Sequence, residues 1–181
     1  MIIPEEILEK VFDTLPEITI AGIDHQCFFN YGTLEELILL LNEKETKQES
    51  RYPLIWLLTE FKETGDIDNH NKTTIIDLKL VLATFSNEAY TSKESLEATF
   101  KPTLFPLLQN IVKALDQSGR TQRKKKDETV RYKFYKKELK EIAEKQFNII
   151  LQDTWDAIRF ECTLELNDSQ GEIRIIYKNN F

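Results

Sequence analysis

Between Trp155 and Leu166 the sequence alternates with a period of two. Ile158, Phe160, Cys162, Leu164 and Leu166 fall on one side, and Arg159, Glu161, Thr163 and Glu165 on the other. Successive strand residues point to opposite faces, so this run is a strand with one buried face. A second alternating run, Thr73 to Phe85, groups Ile76, Leu78, Leu80 and Leu82 against Asp77 and Lys79. Two long half-buried strands demand a sheet, and its apolar face demands a covering layer. Pro53 to Leu58 is a compact apolar run. The polar link from Lys62 to Lys72, with Gly65 inside it, joins that run to the second strand as a hairpin with a long exposed loop. Asn167 to Gly171 reads as a turn, after which Glu172 to Tyr177 returns as an edge strand.

The covering layer comes from helical segments. Residues 4 to 15 place Ile7, Leu8, Val11, Phe12 and Leu15 on one stripe, with Pro4 in the first turn and Pro16 as a stop. Residues 18 to 29 are rich in Ile and Phe around Gly22, which suits a strand or an irregular hairpin. Thr33 with Glu36 forms a capping box opening a helix through Leu34, Leu37, Ile38 and Leu41. Thr91 with Glu94 forms another, ahead of the stripe Leu96, Phe100, Leu104, Ile111 and Leu115. Pro102 and Pro106 are expected to split that stripe into a short helix and a longer one starting near Pro102. Tyr132 to Ile150 fits strand, helix or both. The expectation is an α+β fold: an antiparallel sheet with helices packed mainly on one face.

A chain of 181 residues with 41% hydrophobic and 30% charged residues suits one domain spanning residues 1–181 with its own core. Residues 1 to 6 lack the basic and apolar regions of a signal peptide, and apolar stretches such as Leu37 to Leu41 are too short to span a membrane. The expectation is a soluble protein of a reducing compartment, with Cys27 and Cys162 as buried free thiols and Trp56 and Trp155 in the core.

The net charge of −7 is unevenly spread. Residues 120 to 140 hold ten Lys or Arg against three acidic residues, a net +7, which leaves −14 on the rest. Residues 119 to 130 show no apolar periodicity and are expected to form a mobile basic loop. The basic arm admits three readings: a solvated loop, a contact for an acidic partner, or a nucleic-acid contact in which Tyr132, Phe134 and Tyr135 stack on bases. An acidic body repels a phosphate backbone, which disfavours dedicated nucleic-acid binding. The candidate interface residues are Arg123, Lys124, Lys125, Lys126 and Arg131, with Asp66 and Asp68 in the loop between the first two strands.

Signatures of catalysis are missing from the sequence. It contains no Gly-x-Gly-x-x-Gly, Walker-type or Gly-x-Ser-x-Gly motif, and five glycines leave little room for a phosphate cradle. Its two histidines, His25 and His70, are too few for a His-rich metal site. Asp77-Leu78-Lys79, with Asp66 or Asp68 upstream, loosely matches the acidic-x-Lys strand of metal-dependent nucleases. Any amphipathic strand yields that tripeptide easily, so the polar face of a strand is the simpler account. Asp66-Ile67-Asp68-Asn69-His70 begins like a Ca²⁺ loop but lacks its Gly at position six and its Glu at position twelve. No catalytic, cofactor-binding or metal residues are assigned, and no enzyme activity is expected.

Two segments taken together carry a family resemblance. One is Tyr52-Pro53-Leu54-Ile55-Trp56-Leu57 followed by the strand Ile75 to Phe85. The other is Phe100-Lys101-Pro102-Thr103-Leu104-Phe105-Pro106-Leu107-Leu108, followed by Asp153-Thr154-Trp155-Asp156-Ala157-Ile158. This order, over roughly residues 50 to 166, resembles tail-terminator, tail-completion and neck proteins of tailed bacteriophages, particularly phages and prophages of Bacteroidetes-type hosts. The resemblance implies a tail-terminator-like α+β subunit without cofactor or active site. It implies a homo-oligomeric, commonly sixfold ring that joins the tail tube to the head connector, in a virion assembled in the host cytoplasm. DNA would pass through the lumen without specific binding. The alternatives are a head-proximal stopper or adaptor, a metal-dependent nuclease using Asp66, Asp77 and Lys79, and a host-side adaptor with a basic docking arm.

Overall fold

The computed structural model describes residues 2–20, 22–42, 52–59, 63–64, 73–133, 145–146, 154–167, 175 and 177, with the backbone alone at 42, 63–64, 125, 127 and 131–133. Helix α1 (Pro4–Phe12) begins at its proline and buries Ile7, Leu8, Val11 and Phe12. A small antiparallel hairpin follows, β1 (Ile18–Ile20) and β2 (Ile23–His25). Gly22, at φ +83°, supplies its turn with a left-handed conformation that costs other residues.

The main sheet has six strands. They are β3 (Phe28–Gly32), β4 (Leu54–Leu58), β5 (Glu63–Thr64), β6 (Thr73–Ser86), β7 (Thr121–Lys133) and β8 (Thr154–Asn167). Five of them lie in the order β3-β4-β6-β8-β7, and β5 pairs with β6. The two alternating runs are the central pair: β6 and β8 match over fourteen residues each, from Thr73 opposite Asn167 to Ser86 opposite Thr154. All pairs are antiparallel except β3 with β4. A parallel pair needs a crossover, and α2 (Leu34–Asn42) lies in that connection.

One face of the sheet carries the larger core. Ile55, Leu57, Ile76, Leu78, Leu80, Leu82, Ile158, Phe160, Cys162, Leu164 and Leu166 pack there with α1 and with Phe100, Leu104, Leu107, Ile111 and Leu115. Each such side chain contributes about 1.5–3 kcal/mol when fully buried. On the opposite face a smaller cluster joins Leu37, Ile38 and Leu41 of α2 to Leu54, Trp56, Val81, Ala83, Trp155 and Ala157. The fold is α+β with a mostly antiparallel sheet, its helices mainly on one side. Both tryptophans are core, as expected, each 3% exposed. Among the described residues no helix is long and apolar enough to cross a membrane.

Both capping boxes form. The backbone N–H of Thr33 donates to Glu36 Oε2 at 2.6 Å, while the N–H of Glu36 donates to Thr33 Oγ1 at 3.2 Å. Gly32, at φ +153°, closes against this box: a side chain there would collide with Glu36 Oε2 and stand 2.9 Å from the Trp56 ring. Its carbonyl also accepts from Trp56 Nε1 at 3.2 Å, tying the end of β3 to β4.

Two expectations need correction. Pro102 does not break the helix: α3 (Ser92–Ser95) runs into a π-helical stretch, Leu96–Leu104, and then into α4 (Phe105–Gln117). A proline removes an N–H and displaces the carbonyl four residues back, and widening the turn absorbs both effects. Accordingly the N–H of Phe105 donates to the carbonyl of Phe100, five residues earlier. Secondly, residues 119–130 are not a loop. From Thr121 they form β7, paired antiparallel with β8 and interrupted by an irregularity between Lys124 and Thr129. Its inward positions before that irregularity are Thr121 and Arg123, so no apolar alternation marks it. The sheet is mostly antiparallel as expected, with β3–β4 as a parallel pair that the local pattern did not specify. Most of Lys62 to Lys72, Phe134 to Ile150 and Glu172 to Tyr177 lies outside the described residues.

Candidate functional site

The basic segment is the starting point, because the sequence singles it out. β7 is a terminal strand of the sheet, with β8 as its one strand neighbour among the described residues. Over Thr121 to Lys133 it carries six basic residues against Asp127 and Glu128, a net +4. The start of the strand is pinned: the backbone N–H of Asn167 donates to the Arg120 carbonyl at 2.7 Å, and Thr121 Oγ1 donates to the carbonyl of Leu115.

The predicted interface residues part company here. Arg123 points into the helix-covered face and its side chain is only 4% exposed. Its Nε and Nη2 donate to the two carboxylate oxygens of Asp116 on α4 at 2.8 and 2.7 Å, and its Nη1 donates to Glu128. Hydrogen bonding to Asp116, reinforced by the charges of Asp116 and Glu128, raises its pKa further above the ordinary guanidinium value. Arg123 therefore locks β7 to α4 and offers no contact surface, which corrects its assignment to the interface. Lys124 and Lys126 are exposed. Lys124 lies opposite Thr163, on the face of the sheet that also bears Asp77, Lys79, Glu161 and Glu165. Lys125 falls within the irregularity and Arg131 lies opposite Arg159. Asp66 and Asp68 lie outside the described residues.

The chain segment around the other terminal strand, β3, has the opposite net charge. Residues 17–36 contain β1, β2, β3 and the start of α2, and hold Glu17, Asp24, Glu35 and Glu36 with no Lys or Arg, a net −4. Ile23 and Tyr31 are 64% and 49% exposed in this segment. Strands in a sheet lie about 4.8 Å apart, so β3 and β7, four intervals from each other, are about 19 Å apart. β3 itself carries no charged residue, and the four carboxylates lie before and after it in the chain.

Asp77 and Lys79 sit on the polar face of β6, opposite Thr163 and Glu161. Among the described residues no group of three or more His, Cys, Asp or Glu side chains is arranged to hold a metal ion. The sequence reading did miss a buried polar cluster. Asp156 is fully buried on the helix-covered face, where its Oδ2 accepts from Ser86 Oγ at 2.7 Å and lies 2.6 Å from Thr99 Oγ1. Thr99 Oγ1 is also 2.7 Å from the carbonyl of Ser95, so one hydroxyl proton serves two acceptors. The signal was there to read: Asp156 shares the inward parity of Ile158 and Phe160. No family model matches the sequence, and no curated protein matches it.

Proposed function

We propose that this chain is a structural subunit of a tailed-bacteriophage virion, a ring-forming tail terminator or neck protein that joins the tail tube to the head connector. The observation that carries the reading is the sheet's thirteen-residue terminal strand β7, net +4 on an otherwise acidic chain. A terminal strand exposes unpaired backbone groups and serves as a template for another chain. The surplus acid suits a conduit for DNA, because a negative lining repels the phosphate backbone as it passes. The subunit works by shape and interface complementarity, without cofactor or turnover. The resemblance in residues 50–166 to terminator and neck proteins supplies the biological setting.

The test is the native mass of the purified protein, by light scattering, with and without tail-tube protein. A closed assembly of about six copies, alone or on the tube, is expected. A monomer under both conditions overturns the ring. A stable complex with connector protein, and none with tube protein, moves the subunit to the head-proximal stopper position.

A further inference from the structure

We propose that a monovalent alkali cation binds where the π-helical stretch meets the ends of β6 and β8, held by Asp156 and Ser95. The proposal goes beyond the ring reading and does not depend on it. Asp156 and Ser95 are both fully buried, and Asp156 Oδ1 and Ser95 Oγ have no hydrogen-bond partner. Buried polar atoms are nearly always satisfied, so two orphans in one cluster call for a ligand.

The two residues are joined through Thr99. Contacts run from Ser86 Oγ to Asp156 Oδ2 at 2.7 Å, on to Thr99 Oγ1 at 2.6 Å, and on to the Ser95 carbonyl at 2.7 Å. The hydroxyls of Ser86 and Thr99 supply one proton each for these three contacts. One pair of oxygens therefore meets without a proton between them. Oxygens this close and short of protons are stabilised by positive charge among them.

The charge count agrees. Among the described residues no Lys, Arg or His pairs with Asp156, whose hydrogen bonds go to Ser86 and Thr99 alone. Buried carboxylates are paired with a base or bound to a metal, because the bare charge is expensive to desolvate. The atoms on offer are carboxylate, hydroxyl and carbonyl oxygens, which suit hard cations. One carboxylate among neutral oxygens balances a single positive charge. A divalent ion would bury a surplus charge, so the assignment is to sodium or potassium.

The surrounding fold fixes these atoms. Thr154 Oγ1 donates to the Ser86 carbonyl at 2.9 Å, holding the last pair of the β6–β8 ladder. Ser95 ends α3 and Thr99 lies in the π-helical stretch, a conformation that recurs at functional sites. A cation here ties the helical layer to both central strands.

The full chain is exchanged into choline chloride and melted as sodium or potassium replaces choline at constant ionic strength. A rise in melting temperature of about 3–6 °C is expected when one of these ions reaches about ten times its dissociation constant. Asp156→Asn is expected to lose this rise whatever its melting temperature in choline, since each variant is compared with itself. Ser95→Ala removes a hydroxyl that makes no hydrogen bond. It is expected to melt no lower than wild type in choline, and to move the midpoint of the ion titration several-fold higher. Identical melts in choline, sodium and potassium overturn the proposal. So does a rise that survives in Asp156→Asn, which marks a surface salt effect. A response to magnesium or calcium alone overturns the monovalent assignment. A Ser95→Ala midpoint equal to that of wild type overturns the site as placed here.

Discussion

Arg123 on β7 grips Asp116 on α4 through two parallel hydrogen bonds, 2.8 Å from Nε and 2.7 Å from Nη2. The pair spans the short turn between helix and strand, with Gly119 at φ +69° within it. A bidentate guanidinium–carboxylate pair fixes orientation as well as distance, so the strand's tilt against the helix is set here.

Replacing Asp116 by Ala is expected to lower stability by about 1–3 kcal/mol. It strips a mostly buried guanidinium of its main partner while Glu128 keeps some of the charge compensated. Arg123→Lys is expected to be destabilising too, because an ammonium cannot make the paired contact. Urea unfolding of both variants measures this. A midpoint unchanged in both would show that the pair contributes nothing net.

Asp156 is a second place where a small change should be costly. Asp156→Ala leaves Ser86 Oγ without its buried acceptor, at a cost of about 1–3 kcal/mol, while Thr99 Oγ1 keeps the carbonyl of Ser95. Asp156→Asn keeps an acceptor oxygen in nearly the same volume and is expected to cost less. Thermal melts should rank the variants wild type, Asn, Ala. Equal melting temperatures would mean that the helix is held onto the sheet by apolar packing alone.

The two free thiols predict a stability slope at high pH. Burial pushes both Cys27 and Cys162 up from 9.0 to about 12 in the folded chain. Between about pH 9 and 12 the unfolded chain sheds thiol protons that the folded chain keeps, so unfolding becomes easier as pH rises. Stability should be insensitive to these groups below that window. Cys27→Ala/Cys162→Ala is expected to show a shallower fall than wild type between pH 9 and 11, read by denaturant midpoints. Identical slopes would contradict the desolvation of the buried Cys162 and half-buried Cys27 thiols.

Much of this architecture is written in residue order. The alternation of β6 and β8 is visible because both strands have one apolar and one polar side, and both capping boxes announce their helices through Thr33-Glu36 and Thr91-Glu94. β7 is hidden because its inward positions before the irregularity are Thr121 and Arg123, which meet hydroxyl, carbonyl and carboxylate partners instead of apolar ones. A pattern built on hydrophobicity has no term for a strand anchored by an ion pair. The π-helical stretch is hidden for another reason: Pro102 signals trouble for an α-helix but does not say whether the chain will bend, stop or widen. The parallel partnership of β3 and β4 depends on where α2 leads the chain, which local periodicity does not encode. That β3 and β7 stand at opposite ends of the sheet emerges only from strand order.

The position of β8 between β6 and β7 has a consequence for the order of events in biosynthesis. A ribosome releases β6 and β7 first, yet neither can complete its ladder until residues 154–167 have been made and have slipped into the gap between them. The nascent protein must therefore hold a lysine-rich ribbon and a half-finished sheet apart while residues 134–167 are made. The positive charge of β7 would, in that interval, keep an unpaired strand soluble and out of wrong partnerships.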